Sequence, residues 1–316
     1  MPDSGATSDP QCPVCGSAAQ RERTLTARFL AAALQEFVER PVPTDVALHD
    51  YTMYCCTACT LRFADPPAPA GDAFYEWLDR ESKYYVAHRW EWDCIEEFVR
   101  AHPGPAAVLE IGAGDARFLR RLQSAAGART VAIERSGAAA SALRAKGVEA
   151  YAEDEAGAAL AGRRFDYVLA FHCVEHVVDP VGLVASMLQR AGPDGRVLFS
   201  VPYSPMYFES RWFDPLNYPP HHLTRWNRNS LERLCSRVGA RARLLLPPAY
   251  PLLARARYAL AIRCLGPHWS RRRRLWKVLP LLHPLKFAGE LVRQTRRERV
   301  NGRVAADVVL VELQST

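Results

Sequence analysis

Two short cysteine pairs lie in the first sixty residues, Cys12–Cys15 and Cys56–Cys59, each with two residues between the thiols. A CxxC turn presents both thiolates on one side of a tight knuckle, and two knuckles complete the tetrahedral sulfur shell that suits zinc. Because four protein ligands leave no coordination position open, the spacing predicts a structural zinc ion. Unrelated buried cysteines and a redox dithiol are the alternative interpretations.

Two details leave the ligand set of this expected site open. Cys55 stands next to Cys56 and is a competing thiol, and Thr60 follows the second knuckle where a glycine is usual. The chain has nine cysteines in all and no secretory signal pattern at its start, which favours metal binding over disulfides.

A glycine-containing turn follows the first run that reads as a buried strand, Val108–Ile111. Gly112 and Gly114 form the turn, and from Phe118 onward apolar residues recur at helical spacing. Glycine lets a ligand approach the backbone closely, and the start of the following helix attracts negative charge. A dinucleotide-binding loop would carry its third glycine at position 117, where this chain has Arg117, so a pyrophosphate cradle is disfavoured.

This turn resembles the first motif of class I S-adenosylmethionine-dependent methyltransferases, with Glu110 on the strand, Gly112 and Gly114 in the turn, and Ala116 in place of the last glycine. The segments 130–136, 147–154, 165–180 and 193–203 resemble the later motifs of that family in the expected order. The resemblance covers about residues 105–245. It implies an α/β fold with a Rossmann-like methyltransferase sheet of seven strands, the last one antiparallel.

The resemblance also implies how S-adenosylmethionine is bound. Glu134 ends the second strand, where a carboxylate can accept hydrogen bonds from both ribose hydroxyls. One acid of the turn at Glu153 and Asp154 reaches the adenine amino group, and Glu110 orients the glycine turn and the methionine end. The residues expected to bind the cofactor are Glu110, Gly112, Gly114, Asp115, Glu134, Glu153, Asp154 and His172.

Methyl transfer from a sulfonium is an in-line displacement that needs close positioning and, where the acceptor carries a proton, a base of near-neutral pKa. Histidine fits this requirement. His176 follows the fourth strand and forms a Glu-His pair with Glu175. In related enzymes this pair sometimes binds a divalent metal. His221 and His222 lie in a Pro-Pro-His-His segment that resembles a motif of the same group. The catalytic candidates are His222 as the leading base, His176 as the second, and His221 and Tyr203; each histidine has holding a loop as its alternative role.

The net charge of +7 is concentrated in one segment. Residues 248–303 hold fourteen Lys and Arg against two Asp and Glu, including the run Arg271–Arg274, and they are interleaved with Leu, Trp269 and Trp276. This segment separates the expected sixth strand, 240–246, from the seventh, 305–313, and is predicted to be an inserted cap. Its three interpretations are a solvated, salt-bridged lid, a surface for anionic membranes, and a nucleic-acid-binding face. No nucleic-acid partner is expected, because no reading module accompanies the charge.

The length of 316 residues and the apolar content of 49% are enough for about two domains' worth of folded chain. The expected organisation is a zinc-binding module at 1–70, a helical lead-in at 71–104, the methyltransferase core at 105–247, the basic cap at 248–303 and the last core strand at 304–316. No apolar run approaches the roughly 20 residues of a membrane-spanning helix. A cytoplasmic protein is expected, with peripheral contact at the inner face of the membrane through the cap as an option.

The zinc module and this core together resemble methyltransferases of sugar, surface-glycan and secondary-metabolite pathways. The resemblance implies methyl transfer to oxygen, nitrogen or carbon of a small-molecule acceptor, with histidine-assisted deprotonation. The acceptor is expected to be a sugar, a glycan precursor or a secondary metabolite, with a sugar- or lipid-linked molecule as an option. The cofactors implied are S-adenosylmethionine and structural Zn²⁺. An NAD-dependent oxidoreductase and a non-catalytic, zinc-dependent nucleic-acid-binding protein are the competing hypotheses.

Overall fold

The computed structural model describes residues 10–80, 88–206, 209, 212–247, 251–266, 273–301 and 307–315. Trp269, Arg271 and Arg272 of the cap lie outside this part of the chain. Within the described part of the front of the chain, three strands and three helices precede the core. They are β1 (Ala19–Leu25), α1 (Ala27–Val38), β2 (Tyr51–Cys56), β3 (Arg62–Asp65), α2 (Asp72–Asp79) and α3 (Trp90–Arg100).

The core alternates strands and helices, as the short β-rich runs predict. Its elements are β4 (Ala107–Ile111), α4 (Arg117–Ala126), β5 (Arg129–Glu134), α5 (Gly137–Arg144), β6 (Glu149–Ala152), α6 (Glu153–Ala159), β7 (Phe165–Phe171), α7 (Pro180–Arg190), β8 (Ala191–Pro202), β9 (Thr224–Arg225), α8 (Arg228–Arg237), β10 (Ala240–Leu245) and β11 (Val308–Ser315). Short 3-10 helices span Val174–His176 and Pro215–Asn217.

Seven strands form one sheet in the order β10-β11-β8-β7-β4-β5-β6. The pairs among β4 to β8 are parallel, whereas β11 runs antiparallel to both of its neighbours, β8 and β10. This confirms the predicted α/β sheet, with the last strand inserted antiparallel. Glycine and histidine residues that follow β4 and β7 therefore meet at the same carboxyl edge, which is where open α/β sheets bind ligands.

Both faces of the sheet are covered, which is why its strands read as nearly continuous apolar runs. On β4 the neighbouring side chains of Val108 and Leu109 belong to two different buried clusters. One cluster contains Phe118 of α4, and the other contains Met187 of α7. Successive side chains of a strand point to opposite faces, so the two clusters are the cores on the two sides of the sheet.

A second sheet joins the front of the chain to the core. Its four strands lie in the order β1-β2-β3-β9, and the two-residue strand β9 comes from the core, far downstream in sequence. Arg62 and Phe63 of β3 pair antiparallel with Arg225 and Thr224 of β9. The cysteine-bearing module is thus completed by the segment that immediately follows the paired histidines.

The basic insertion lies between β10 and β11 and is helical where it is described. It contains α9 (Leu252–Leu265), a 3-10 helix at Arg273–Lys277, α10 (Leu279–Leu282) and α11 (Pro284–Asn301). Pro280 and Pro284 occupy first turns of helices, the position where proline is tolerated, and so they separate two helices from one another. Among the described residues, no helix is long and apolar enough to cross a membrane.

Candidate active site

The glycine turn after β4 has the backbone that its residue types predict. Gly112 and Gly114 have left-handed φ values of 73° and 59°. A Cβ added at Gly112 would stand 3.4 Å from the sulfur of Cys173, so the turn is also closely packed from behind. Ala116 takes a left-handed φ of 59° directly before α4, a conformation that costs a residue with a Cβ about 1–2 kcal/mol. The turn therefore forms despite the missing last glycine.

Two carboxyl groups lie against this turn, that of Glu110 buried and that of Glu134 half-buried. Glu134 at the end of β5 accepts a hydrogen bond from the backbone N–H of Gly114 at 2.7 Å. Burial raises the pKa of Glu134 although backbone N–H groups oppose the shift. Burial and the nearby charge of Glu134 raise the pKa of Glu110 to about 8, and its Oε2 has no hydrogen-bond partner among the described residues. An unsatisfied buried acid beside a glycine cradle fits a ligand that brings hydrogen-bond donors, as the cofactor's amino and hydroxyl groups would.

One cavity of about 1280 Å³ collects most of the predicted site. This exceeds what a single small ligand usually needs, so a cofactor and an acceptor can lie side by side. The predicted residues that line it are Glu110, Gly112, Gly114, Asp115, Glu134, Glu153, His172, His176, His221 and His222. Asp154 is not among the lining residues, and neither is Tyr203, whose backbone N–H donates to Asp307 beyond the end of β8.

His172 stands directly after β7 with a left-handed φ of 49°. Its ring nitrogens lie 3.3 Å from Glu91 and 3.4 Å from Glu175, two fully buried carboxylates. Burial lowers the pKa of His172, but these carboxylates outweigh burial and raise the pKa overall. Its ring is therefore placed between two acids and at the edge of the cavity.

The other three histidines form a compact cluster. The ring centroids of His176, His221 and His222 lie 4.5 to 4.9 Å apart. Burial lowers the pKa of each of the three, and for His221 and His222 the neighbouring rings add to the effect. The three rings are therefore neutral near pH 7, and the lowered pKa makes each a weaker base than free imidazole.

Hydrogen bonds from the cysteine-bearing module hold the loop that carries His221 and His222. The backbone N–H of Ala64 donates to Leu223 at 2.9 Å, and that of Ala70 donates to Pro220 at 3.0 Å. Because these bonds flank the two histidines on both sides, the module positions the cluster.

The four expected cysteine ligands are brought together at the end of that module. One sulfur from each of Cys12, Cys15, Cys56 and Cys59 lies within 4.8 Å of all the others, and the closest pairs are 3.4 to 3.7 Å apart. Tetrahedral zinc–sulfur bonds of about 2.3 Å place sulfurs at nearly this separation, so the residues fit zinc.

Cys55 and Thr60 are the two residues that left the ligand set open in the sequence. The sulfur of Cys55 lies apart from the cluster, nearest to the backbone carbonyls of Cys56 and Thr60. Thr60 has a left-handed φ of 58°, which explains why glycine is usual at this position.

The cavity also contains side chains that the sequence analysis missed. The ring of Tyr75 on α2 lies edge-on to His176 and tilted against His221, with centroid distances of 6.3 and 6.0 Å. The guanidinium of Arg135 lies 4.7 Å from the centre of the same ring. Burial raises the pKa of Tyr75 to about 12. Trp92 of α3 and the front-module residues Phe37 and Val38 line the same cavity. These residues lie on helices outside any recognisable motif, and only their amphipathic spacing marks them as buried.

The core of the chain matches a known protein family. A family model described as a methyltransferase domain matches residues 80–244, just over half of the chain. The ubiquinone biosynthesis O-methyltransferase of Azotobacter vinelandii is 32% identical over 138 residues, which are 40% of this chain and 57% of that protein. The chain therefore spans just over half the length of this curated relative.

Two solved structures are similar to this chain at low sequence identity. A SAM-dependent methyltransferase from Archaeoglobus fulgidus matches with a TM-score of 0.50 and 12% identity, covering 77% of this chain and 99% of that one. A SAM-dependent methyltransferase from Thiobacillus denitrificans, in complex with S-adenosyl-L-homocysteine, matches with a TM-score of 0.45 and 14% identity over 76% of this chain and 98% of that one.

Proposed function

Since the chain belongs to the methyltransferase-domain family, we propose that it transfers a methyl group from S-adenosylmethionine to a small-molecule acceptor with a histidine-assisted loss of the acceptor's proton. The observation that carries the proposal is the single cavity that holds both the glycine turn with its acids and the histidine cluster. Donor and acceptor chemistry thus have their residues within one enclosure.

On the donor side, Glu134 is the acid for the ribose hydroxyls and Glu153 the acid for the adenine end. Glu153 is favoured over Asp154 because only Glu153 lines the cavity. Glu110 is buried at the glycine turn with an unpartnered oxygen, which supports its role at the methionine end of the cofactor.

On the acceptor side, His222 is the leading base and His176 the second candidate. Both are neutral in the free protein, since burial holds the pKa of each low, and both face the cavity. The acceptor is proposed to be a sugar or another secondary-metabolite precursor, methylated at oxygen, nitrogen or carbon. The apolar residues Phe37, Val38 and Leu216 of the cavity wall support an acceptor with an apolar portion.

We propose that Cys12, Cys15, Cys56 and Cys59 bind one structural zinc ion. A hydrogen bond from the Cys59 thiol lowers the pKa of Cys12, which favours a thiolate at this ligand. Metal analysis of Cys12→Ser should show about one zinc fewer per chain than the native protein, whereas Cys55→Ser should retain it. Equal zinc in native and Cys12→Ser protein contradicts this site.

We also propose that the cap, residues 248–303, rests on an anionic membrane surface, where it would meet lipid-linked acceptors. Among the described residues, seven of the nine exposed large apolar side chains belong to the cap. Leu281 is 79% exposed and Leu285 is 88% exposed, and they stand among the cap's surplus of basic residues. Exposed leucines next to arginines are typical of a surface that contacts anionic lipid, and they are not expected on a purely solvated lid.

Part of the cap's charge has a structural use. Arg263 and Arg293 both contact Glu290, which is fully buried, at 3.5 and 2.6 Å. Arg263 joins α9 to Glu290 of α11, whereas Arg293 contacts Glu290 within α11. Both arginines thus have a structural role and are not counted toward lipid binding.

The proposed reaction is tested by following S-adenosylhomocysteine formation with a panel of nucleotide-activated and lipid-linked sugars. The native protein should turn over with at least one acceptor class, and His222→Ala should bind the cofactor normally but lose about 10²–10⁴-fold in rate. The exposed His49→Ala is the matched control and should keep its rate. Full turnover by His222→Ala would remove His222 as the group that assists deprotonation.

A further inference from the structure

The histidine cluster has the geometry of a ligand set. One ring nitrogen from each of His176, His221 and His222 lies within 4.8 Å of the other two. His176 ends the 3-10 helix after β7, whereas the other two precede β9. Two separate segments of the chain therefore converge their imidazoles on one point of the cavity.

The hydrogen bonds of the rings define which nitrogen carries the lone pair. The Nδ1 of His176 bonds to the carbonyl of His221, that of His221 to the carbonyl of Leu216 at 2.7 Å, and that of His222 to the Oδ1 of Asn217 at 3.2 Å. Carbonyl oxygens only accept, so each Nδ1 carries the proton and each Nε2 carries the lone pair. Metal-binding histidines are oriented by this same outer contact.

A buried carboxyl group lies beside the cluster. Glu175 has 0% exposure, and neither of its carboxylate oxygens has a hydrogen-bond partner among the described residues. Its Oε1 lies 3.9 Å from the Nε2 of His222. A buried carboxylate is costly without a compensating partner, and the Nδ1 of His172 lies 3.4 Å from the same Oε1. Glu175 is not part of the mutually close set, so it would lie beside an ion held by the three rings without being one of its ligands.

We propose that His176, His221 and His222 bind one divalent transition-metal ion, such as zinc, inside the cavity. Imidazole nitrogen is a common ligand of zinc and of its first-row neighbours. Three protein ligands leave at least one coordination position open, in contrast to the four-cysteine cluster. A hydroxyl bound in that position loses its proton more readily, so His222 would then assist deprotonation by holding the metal.

This inference goes beyond the proposed function and can fail without it. Methyl transfer needs only that the cluster assist deprotonation, which neutral histidines do without a metal. The metal site is therefore tested by metal binding itself, with cofactor binding measured on the same samples.

Co²⁺ is the probe, because thiolate and imidazole ligands give it different spectra. Full-length protein carrying one equivalent of zinc at the cysteine cluster is titrated with Co²⁺ and followed by absorption. Cobalt bound to cysteines shows a strong thiolate-to-metal charge-transfer band, whereas cobalt bound to histidines shows ligand-field bands alone. One further equivalent of Co²⁺ should bind without the charge-transfer band.

Variants assign that equivalent to the cluster. His176→Ala and His222→Ala should each weaken Co²⁺ binding at least about tenfold, the loss typical of removing even an outer partner of a ligand. His49→Ala, an exposed histidine elsewhere, should bind as the native protein does. Asn217→Leu keeps the shape but removes the oxygen that orients His222, and should weaken binding about tenfold.

S-adenosylhomocysteine binding and far-ultraviolet circular dichroism verify that each variant is folded. Folded native protein that binds no second equivalent of Co²⁺ overturns the metal site. Undiminished binding in all three variants, His176→Ala, His222→Ala and Asn217→Leu, overturns it as well. In either case retained S-adenosylhomocysteine binding would leave the proposed methyl transfer in place.

Discussion

The side chain of Asn227 joins the cysteine module to the catalytic core through Thr60. Its Nδ2 donates to the Thr60 carbonyl at 2.9 Å, and the Thr60 hydroxyl donates to its Oδ1 at 3.2 Å. The same Oδ1 accepts the backbone N–H of Ser230 and so caps α8. One amide therefore connects the second cysteine knuckle, the end of β9 and the start of a core helix.

Asn227→Ala should destabilise the protein by about 1–2 kcal/mol, because it removes both the helix cap and the link to Thr60. Asn227→Asp keeps the capping oxygen but sets a carboxylate against the Thr60 carbonyl, and should also lie below the native protein in thermal stability. Thr26→Ala removes only a helix cap, that of α1, and is therefore the control for losing a cap without losing the link to Thr60. Native-like melting of both Asn227 variants would show that this link is unimportant.

Of the adjacent acids Glu153 and Asp154, only the first lines the cavity. Glu153→Gln should therefore weaken S-adenosylhomocysteine binding about fivefold to tenfold, since a hydrogen bond to a charged acceptor contributes about 1 kcal/mol more than one to a neutral acceptor. Asp154→Asn changes the same charge one residue away and should bind normally. Calorimetric titration compares the two, and the reverse ranking would move the adenine contact to Asp154.

Glu110 makes the stability of the cofactor-free protein depend on pH. Its pKa is raised from 4.5 to about 8 in the folded state, so the folded protein binds this proton more tightly than the unfolded chain does. The resulting stabilisation is complete below about pH 4.5 and is lost as the pH rises to about 8.

Glu110→Gln has no such proton to lose. Its stability relative to the native protein should rise by more than about 1 kcal/mol between pH 5 and pH 8, as measured by urea unfolding. The exposed Glu36→Gln should show no such trend. A stability difference that stays constant over this range would contradict the buried, protonated state of Glu110.

The cap should bind anionic vesicles through its exposed leucines. Leu281→Ser combined with Leu285→Ser should reduce cosedimentation with phosphatidylserine-containing vesicles severalfold, because two large apolar contacts worth about 1.5–3 kcal/mol each when fully buried are removed. Phe29→Ser, an exposed apolar residue outside the cap, is the control. Equal sedimentation of native and double-variant protein would favour the solvated, salt-bridged lid.

Contiguous motifs made the catalytic sheet predictable. Gly112, Gly114 and Glu134 end strands or begin turns, so their position at the carboxyl edge follows from strand order alone. The antiparallel insertion of β11 was predictable for the same reason, because the family resemblance supplies that order.

Other features could not be predicted because they depend on contacts between distant segments. The two residues of β9 are too few to show a strand period, so the pairing of Thr224 with Phe63 had no sequence signal. Tyr75 and Trp92 lie on amphipathic helices. Their apolar spacing predicts burial, but it does not distinguish a side chain in a core from one in a cavity wall. Whether Glu153 or Asp154 faces the cavity depends on the directions of two neighbouring side chains, which the residue types alone do not reveal.

Calorimetric titration of the full-length protein with S-adenosylhomocysteine tests the central claim most directly. The native protein should bind one equivalent with a Kd of about 1 µM, equivalent to about −8 kcal/mol, and Glu134→Ala should bind at least about tenfold more weakly. Glu36→Gln should match the native protein. Binding of NAD without any binding of S-adenosylhomocysteine would contradict the methyltransferase account and support an oxidoreductase.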